Sequence, residues 1–228
     1  MVSTLYIIQN DPAVPSGIIT GLLDEHRIPF RLIRAHAGES LPVPGEAESV
    51  IVLGGVMGAG EDDTYPFLRD VKRLIRECVA VDTPLLGICL GGQLLSEVLG
   101  TPVATRSRGE KGVCRVSLTA EGAADPLFQG VPSEYITFQW HNDSFDLPAG
   151  CQLLASSAAC SQQAIRHGAT VYGVQFHPEV NPAIVTSWSG DSAKNAGYPS
   201  AFRQAEEEYL ASARTLLENF FRIANLVP

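Results

Sequence analysis

The first hundred residues alternate short, near-continuous apolar runs with segments whose apolar residues recur at helical spacing. Residues 5–8 read as a buried strand, and Ile18, Ile19, Leu22 and Leu23 mark one helix face. Residues 30–33 and 50–53 read as second and third strands. Pro66, tolerated in a first turn, opens a helix whose apolar face is Phe67, Leu68, Val71, Leu74, Ile75 and Val79. Residues 84–88 form another buried strand, and residues 93–99 a helix that Gly100 closes with a left-handed cap. Strands apolar on both sides need cover on both sides. The alternation therefore predicts an α/β fold, a mostly parallel central sheet with helices on both faces. Ligands on such sheets bind beyond the carboxyl ends of the strands.

After Gly100 the texture changes. Residues 113–118, 135–139, 163–166 and 171–176 read as strands, and His167-Gly168 turns the last pair into a hairpin. This predicts a small additional, partly antiparallel sheet within the same domain. Phe202, Ala205, Tyr209, Ala213, Leu216, Leu217 and Phe220 outline a closing helix. With no internal repeat and no low-complexity linker, residues 1–228 are expected to form a single domain.

Composition narrows the function classes. Hydrophobic residues make up 45% and charged residues 18%, enough apolar material for a packed core. Sixteen Lys and Arg against 25 Asp and Glu leave a net charge of -9, which repels phosphate backbones, so nucleic acid is not an expected partner. The nearest thing to a basic stretch is Arg106-Ser107-Arg108. The five cysteines are odd in number and form no CxxC pair, so neither a disulfide framework nor a zinc site is expected, and reduced thiols fit a cytoplasmic protein. The N-terminus turns polar at Gln9-Asn10-Asp11-Pro12, too early for a signal peptide. No apolar run approaches the roughly 20 residues that span a bilayer, so no membrane association is expected.

Three segments carry chemistry. In Gly87-Ile88-Cys89-Leu90-Gly91-Gly92-Gln93 an apolar strand runs into a helix through a cysteine flanked by glycines. A nucleophile at such a junction forms an elbow, a sharp turn that needs small neighbours and holds the side chain over the sheet. It also places Cys89 at a helix N-terminus, which favours a thiolate, and leaves the Leu90 amide to face a developing oxyanion. A buried cysteine beside a tight turn is the plainer alternative. In Val174-Gln175-Phe176-His177-Pro178-Glu179, the imidazole and carboxylate sit two apart, on one side of extended chain. Glu179 can then orient His177, and His177 can take a thiol proton. Alone these are an ordinary surface pair; beside a cysteine elbow they form a relay. In Leu53-Gly54-Gly55-Val56-Met57-Gly58-Ala59-Gly60, a strand ends in glycines that let backbone amides approach a ligand. The run spells neither GxGxxG nor GxxxxGK[ST], so an oxyanion loop fits better than a phosphate loop.

The stretches LGGVMGAGEDDTYPFL, GICLGGQLLSEVLG, FQWHNDSFDLP and GVQFHPEV, with Trp188 beyond, resemble the class I glutamine amidotransferase family over nearly all the chain. The likeness is greatest to small free-standing members similar to the glutaminase domain of GMP synthase. The resemblance implies the flavodoxin-like fold of that family, with Cys89 as nucleophile, His177 as base and Glu179 as its partner. It implies an oxyanion hole from Gly55, Val56 and the Leu90 amide. Gly54, Gln93, His141, Asn142 and Asp143 would bind the substrate, the last four around its amino-acid head group. Glutamine or another γ-glutamyl compound would be the substrate, through a γ-glutamyl thioester, with no metal and no organic cofactor. Where many relatives have an acidic residue, Ile and Gly, this chain has Arg108-Gly109-Glu110-Lys111-Gly112, a departure that bears on substrate entry or partner contact and not on the triad.

No synthetase domain follows Pro228, which leads to the expectation of a chain without its own ammonia acceptor site. Three readings follow. The chain supplies ammonia or an amine to a separate acceptor enzyme, or is a free-standing γ-glutamyl peptidase or hydrolase, or is a silent protein with a binding or regulatory role. The intact Cys89, His177 and Glu179 argue against silence.

Overall fold

The computed structural model describes residues 4–43, 49–105 and 108–228. Met1-Val2-Ser3, at the head of the N-terminal reading, and Arg106-Ser107, most of the basic stretch, lie outside them. In chain order the elements are β1 (Leu5–Gln9), α1 (Ile18–Glu25), β2 (Phe30–Arg34), β3 (Ser49–Val52), α2 (Phe67–Ala80), β4 (Leu85–Ile88) and α3 (Leu90–Val98). Then come β5 (Val103–Ala104), β6 (Glu110–Leu118), α4 (Ala120–Ala123), β7 (Glu134–His141), β8 (Ser144–Phe145), β9 (Gln152–Ser156), β10 (Ala164–His167) and β11 (Val171–Val174). Helices α5 (Pro182–Ser189) and α6 (Tyr198–Ile223) close the chain.

One sheet runs in the order β2-β1-β3-β4-β11-β10-β9-β6-β7. The first five strands are parallel and the rest pair antiparallel. The antiparallel strands thus extend the central sheet, and a separate two-stranded ladder joins β5 to β8.

Strands β1, β3, β4 and β11 bury both faces, while the edge strand β2 is only partly covered, and the strands' period of two sorts residues between two cores. Ile7, Ile51, Leu53, Leu86 and Ile88 meet α1 and α6 on one side. Ile8, Val50, Val52 and Leu85 meet α2 and α3 on the other. A third cluster packs Phe138 of β7 against α5 and α6 through Val185, Phe202 and Tyr209.

Helix α3 starts at Leu90, three residues before the expected start. Gly91 and Gly92 are poor helix formers, which hides them from a propensity reading. They are helical here because the helix lies hard against the sheet: a Cβ on Gly91 would stand 2.2 Å from the Val52 carbonyl oxygen, and one on Gly92 2.9 Å from that of Val174. At the other end Gly100 takes the expected left-handed conformation, with φ of 89°. Strand β7 runs on to His141, beyond the expected 139, and β9 and α5 are elements beyond those expected. Among the described residues, no helix is long and apolar enough to cross a membrane.

Candidate active site

Four of the parallel strands end on one rim, and each delivers a part of the site. Asn10 and Asp11 follow β1, Gly54 and Gly55 follow β3, Cys89 follows β4, and His177 lies just past β11. This is the carboxyl edge at which open parallel sheets bind ligands.

Cys89 caps α3 with φ of 50° and ψ of -104°, a positive φ that is uncommon outside glycine. The sharp reversal needs bare neighbours. A Cβ on Gly87 would lie 2.5 Å from the Gly91 carbonyl oxygen. The Cys89 amide donates to the Val174 carbonyl at 2.8 Å and ties the turn to β11. The thiol is held at the head of a helix, where the unpaired amides of the first turn favour negative charge. The Gln175 side-chain amide also reaches the sulfur, 3.6 Å from its Nε2.

His177 and Cys89 meet across Gly54. A Cβ on that glycine would be 3.2 Å from His177 Cε1 and 3.6 Å from Cys89 Cβ. His177 Nδ1 lies 2.6 Å from Glu179 Oε1, so Nε2 is the nitrogen left for the cleft. Burial disfavours the charged imidazole, but the Glu179 carboxylate and the Cys89 sulfur outweigh it and raise the His177 pKa to about 10. The residue is held on three sides. The His177 amide donates to the Phe138 carbonyl at 2.8 Å, and Tyr209, from α6, donates its hydroxyl to the His177 carbonyl at 3.0 Å. The third support is Trp188, whose ring packs edge-on at 4.8 Å between centroids.

A cleft of about 360 Å³ opens beside this pair. Of the predicted site residues, Cys89, His177, Gly55, Val56, Gln93, His141, Asn142 and Asp143 line it. Glu179 sits behind His177 with no exposed surface. Leu90 starts α3, where its amide has no acceptor within the helix, and its side chain packs against Gly55. The Val56 amide donates to Asp11 Oδ2 at 3.2 Å, so a substrate oxyanion would compete with that carboxylate for it.

Gln93 and His141 support the 142–143 loop from behind. Gln93 Nε2 donates to the Asp143 carbonyl at 3.1 Å, and His141 Nδ1 lies 3.0 Å from the same oxygen. The unusual 108–112 stretch borders this loop: Glu110 Oε2 is 3.7 Å from His141 Nε2.

Sequence reasoning gives no part to Asp11, Gln175 or Tyr209. Asp11 reads only as a polar turn residue, and the other two carry no local signal of the site. Among the described residues, no group of three or more His, Cys, Asp or Glu is arranged to hold a metal ion.

A cysteine at a strand–helix elbow, a buried imidazole–carboxylate pair and a glycine loop thus share one rim of an α/β sheet. The family model for class I glutamine amidotransferases matches residues 29–185, and the chain belongs to that family.

Among its relatives, the glutamine amidotransferase-like protein YfeJ of Salmonella typhimurium is 35% identical over 150 residues, 64% of this chain and 63% of that protein. A glutamine-hydrolyzing GMP synthase subunit of Archaeoglobus fulgidus is 40% identical over 102 residues, 44% of this chain and 54% of that one. The match thus spans less than two thirds of either relative. A crystal structure of a glutamine amidotransferase from Thermotoga maritima superposes with a TM-score of 0.87 at 29% identity, covering 98% of this chain and 99% of that one.

Proposed function

We propose that the chain hydrolyses the side-chain amide of glutamine, or a related γ-glutamyl amide, through a thioester on Cys89. The observation that carries this reading is the meeting of Cys89, strained at φ of 50°, with a His177 whose pKa is raised to about 10 by Glu179 and Cys89 against burial. In such a pair His177 can take the Cys89 proton, leaving sulfur as the nucleophile and the imidazolium as the acid.

The thiolate attacks the amide carbon, forming a C–S bond while the carbonyl π pair moves onto oxygen. The Gly55-side and Leu90 amides stabilise that oxyanion. Its collapse breaks the C–N bond as His177 gives its proton to the leaving nitrogen. Water then attacks the thioester, His177 takes a proton from it, and glutamate leaves as the thiol is restored.

Relatives named as one of the subunits of glutamine-hydrolyzing GMP synthase support a role in which the ammonia or amine passes to a separate acceptor enzyme. The apolar residues lining the cleft, with Trp188 packed on His177, favour the second reading, a free-standing γ-glutamyl hydrolase. Glutamate release from glutamine and from a γ-glutamyl anilide, by wild type and Cys89→Ser, tests the shared chemistry. Release that survives Cys89→Ser would overturn it.

A further inference from the structure

The cleft is lined by polar side chains, Gln93, Asn142 and Asp143 among them, and by a larger set of apolar ones: Val14, Val56, Met57, Trp140 and Trp188. Ammonia needs no apolar surface. Val56 also lines the cleft and is 77% exposed, so its side chain is open to a ligand.

His177 fixes where the leaving nitrogen sits. Its Nδ1 is taken by Glu179, so Nε2 must deliver the proton, and the leaving nitrogen must sit beside that face of the ring. Trp188 lines the same cleft, 4.8 Å from His177 between centroids and inclined at 70°. Its indole is fixed in place: Nε1 donates to the Ala13 carbonyl at 2.7 Å, and the ring packs against Trp140 and Phe138, each 6.3 Å away. A substituent on the leaving nitrogen thus shares its cleft with a rigid aromatic surface. Pockets of roughly 300–1,000 Å³ suit organic molecules larger than a single polar head group, and this cleft falls within that range.

Charge separates the candidate substituents. Among the described residues, no Lys or Arg lines the cleft. Lys111 packs over the Trp140 ring at 5.0 Å and does not line it. A second carboxylate, as on the amine side of a γ-glutamyl peptide, would find no Lys or Arg among the described lining residues to bind it and would have Asp143 in the same cleft.

We propose that Trp188, with Val56 and Trp140, forms an amine-side subsite for γ-glutamyl amides whose nitrogen carries a neutral apolar or aromatic group. This rests on the γ-glutamyl thioester chemistry proposed above and takes its free-standing form. Hydrolysis then yields glutamate and an intact apolar amine.

The test uses the full chain and three amides of matched leaving-group chemistry: γ-glutamyl benzylamide, γ-glutamyl methylamide and γ-glutamylglycine. They place a phenyl group, a hydrogen and a carboxylate on the same carbon. The benzylamide should exceed each of the others in kcat/KM by on the order of tenfold or more, the scale on which apolar pockets discriminate. Trp188→Ala should reduce the benzylamide-to-methylamide ratio toward one, and Trp188→Phe should keep most of it. If Trp188 served only to support His177, Trp188→Ala would lower both rates together and leave the ratio unchanged, which would overturn the subsite. A preference for methylamide or γ-glutamylglycine would overturn it too. Either outcome leaves the thioester chemistry standing. Failure to turn over any of the three or glutamine, with no acyl group on Cys89, would bring down the underlying reading itself.

Discussion

His177 Nδ1 stands 2.6 Å from Glu179 Oε1, and the carboxylate it faces has no exposed surface. A carboxylate buried against an imidazole orients the ring and stabilises its charged form, but the ring itself moves the proton. His177→Ala should therefore lower turnover by about 10²–10⁴-fold, the usual range for a general acid–base group. Glu179→Ala should cost less. Both are read on one γ-glutamyl substrate, with folding checked by circular dichroism. Full activity in His177→Ala would refute the relay.

The same contact makes stability depend on pH. The His177 pKa is raised from 6.5 to about 10, so the folded state holds a proton that the unfolded chain releases. Stability from this group is fully present below pH 6.5 and is lost as pH rises through about 10. Urea denaturation of wild type against His177→Gln should show the wild-type advantage shrinking across that window. Because Cys89 also raises this pKa, Cys89→Ser should lower it, read from the His177 ring proton by NMR.

The thiols should separate cleanly under limiting alkylation. Burial pushes Cys78 up to about 12 and Cys114 and Cys151 to about 11, and it raises Cys160. These stay protonated, and therefore unreactive, near neutral pH. Cys89 should take the label first from a glutamine-like electrophile, as read by peptide mapping. Dominant labelling of Cys78 or Cys151, with Cys89 untouched, would contradict this.

Two glycines should respond oppositely to alanine. A Cβ on Gly91 would stand 2.2 Å from a backbone oxygen that cannot swing away. Gly91→Ala should destabilise by about 3 kcal/mol or more, at the upper end of overpacking. Gly21, inside α1 and exposed, has nothing within 4 Å. Gly21→Ala should stabilise by about 0.5–1 kcal/mol through helix propensity. Thermal unfolding should move by about 2–4 °C per kcal/mol in a chain of this size.

What the sequence discloses is local. The run from Leu85 through Cys89 into Leu90 states its strand, turn and helix in consecutive residues, and His177 and Glu179 lie two apart. Tyr209 reaches the His177 carbonyl from α6, 32 residues away, and Gln175 reaches Cys89 across 86. Neither residue differs locally from an ordinary core or strand position, so only packing discloses its part. The Gly91-Gly92 pair conceals the true start of α3 because close approach to the sheet overrides poor helix propensity. Strand β9 is short and lacks strict alternation. The start of α5 is different, because Asn181-Pro182 is a legible capping signal: the Asn181 side chain accepts from the Ile184 amide at 3.0 Å.

The central claim is that Cys89 carries the γ-glutamyl group between amide and water. Acid quenching of the protein during turnover of glutamine or γ-glutamyl benzylamide, followed by intact-mass and peptide analysis, tests it most directly. The expected result is one γ-glutamyl group on Cys89 in wild type and none in Cys89→Ser, with glutamate release lost in the variant. Glutamate released at the wild-type rate by folded Cys89→Ser, or an acyl group found on a different residue, would contradict it.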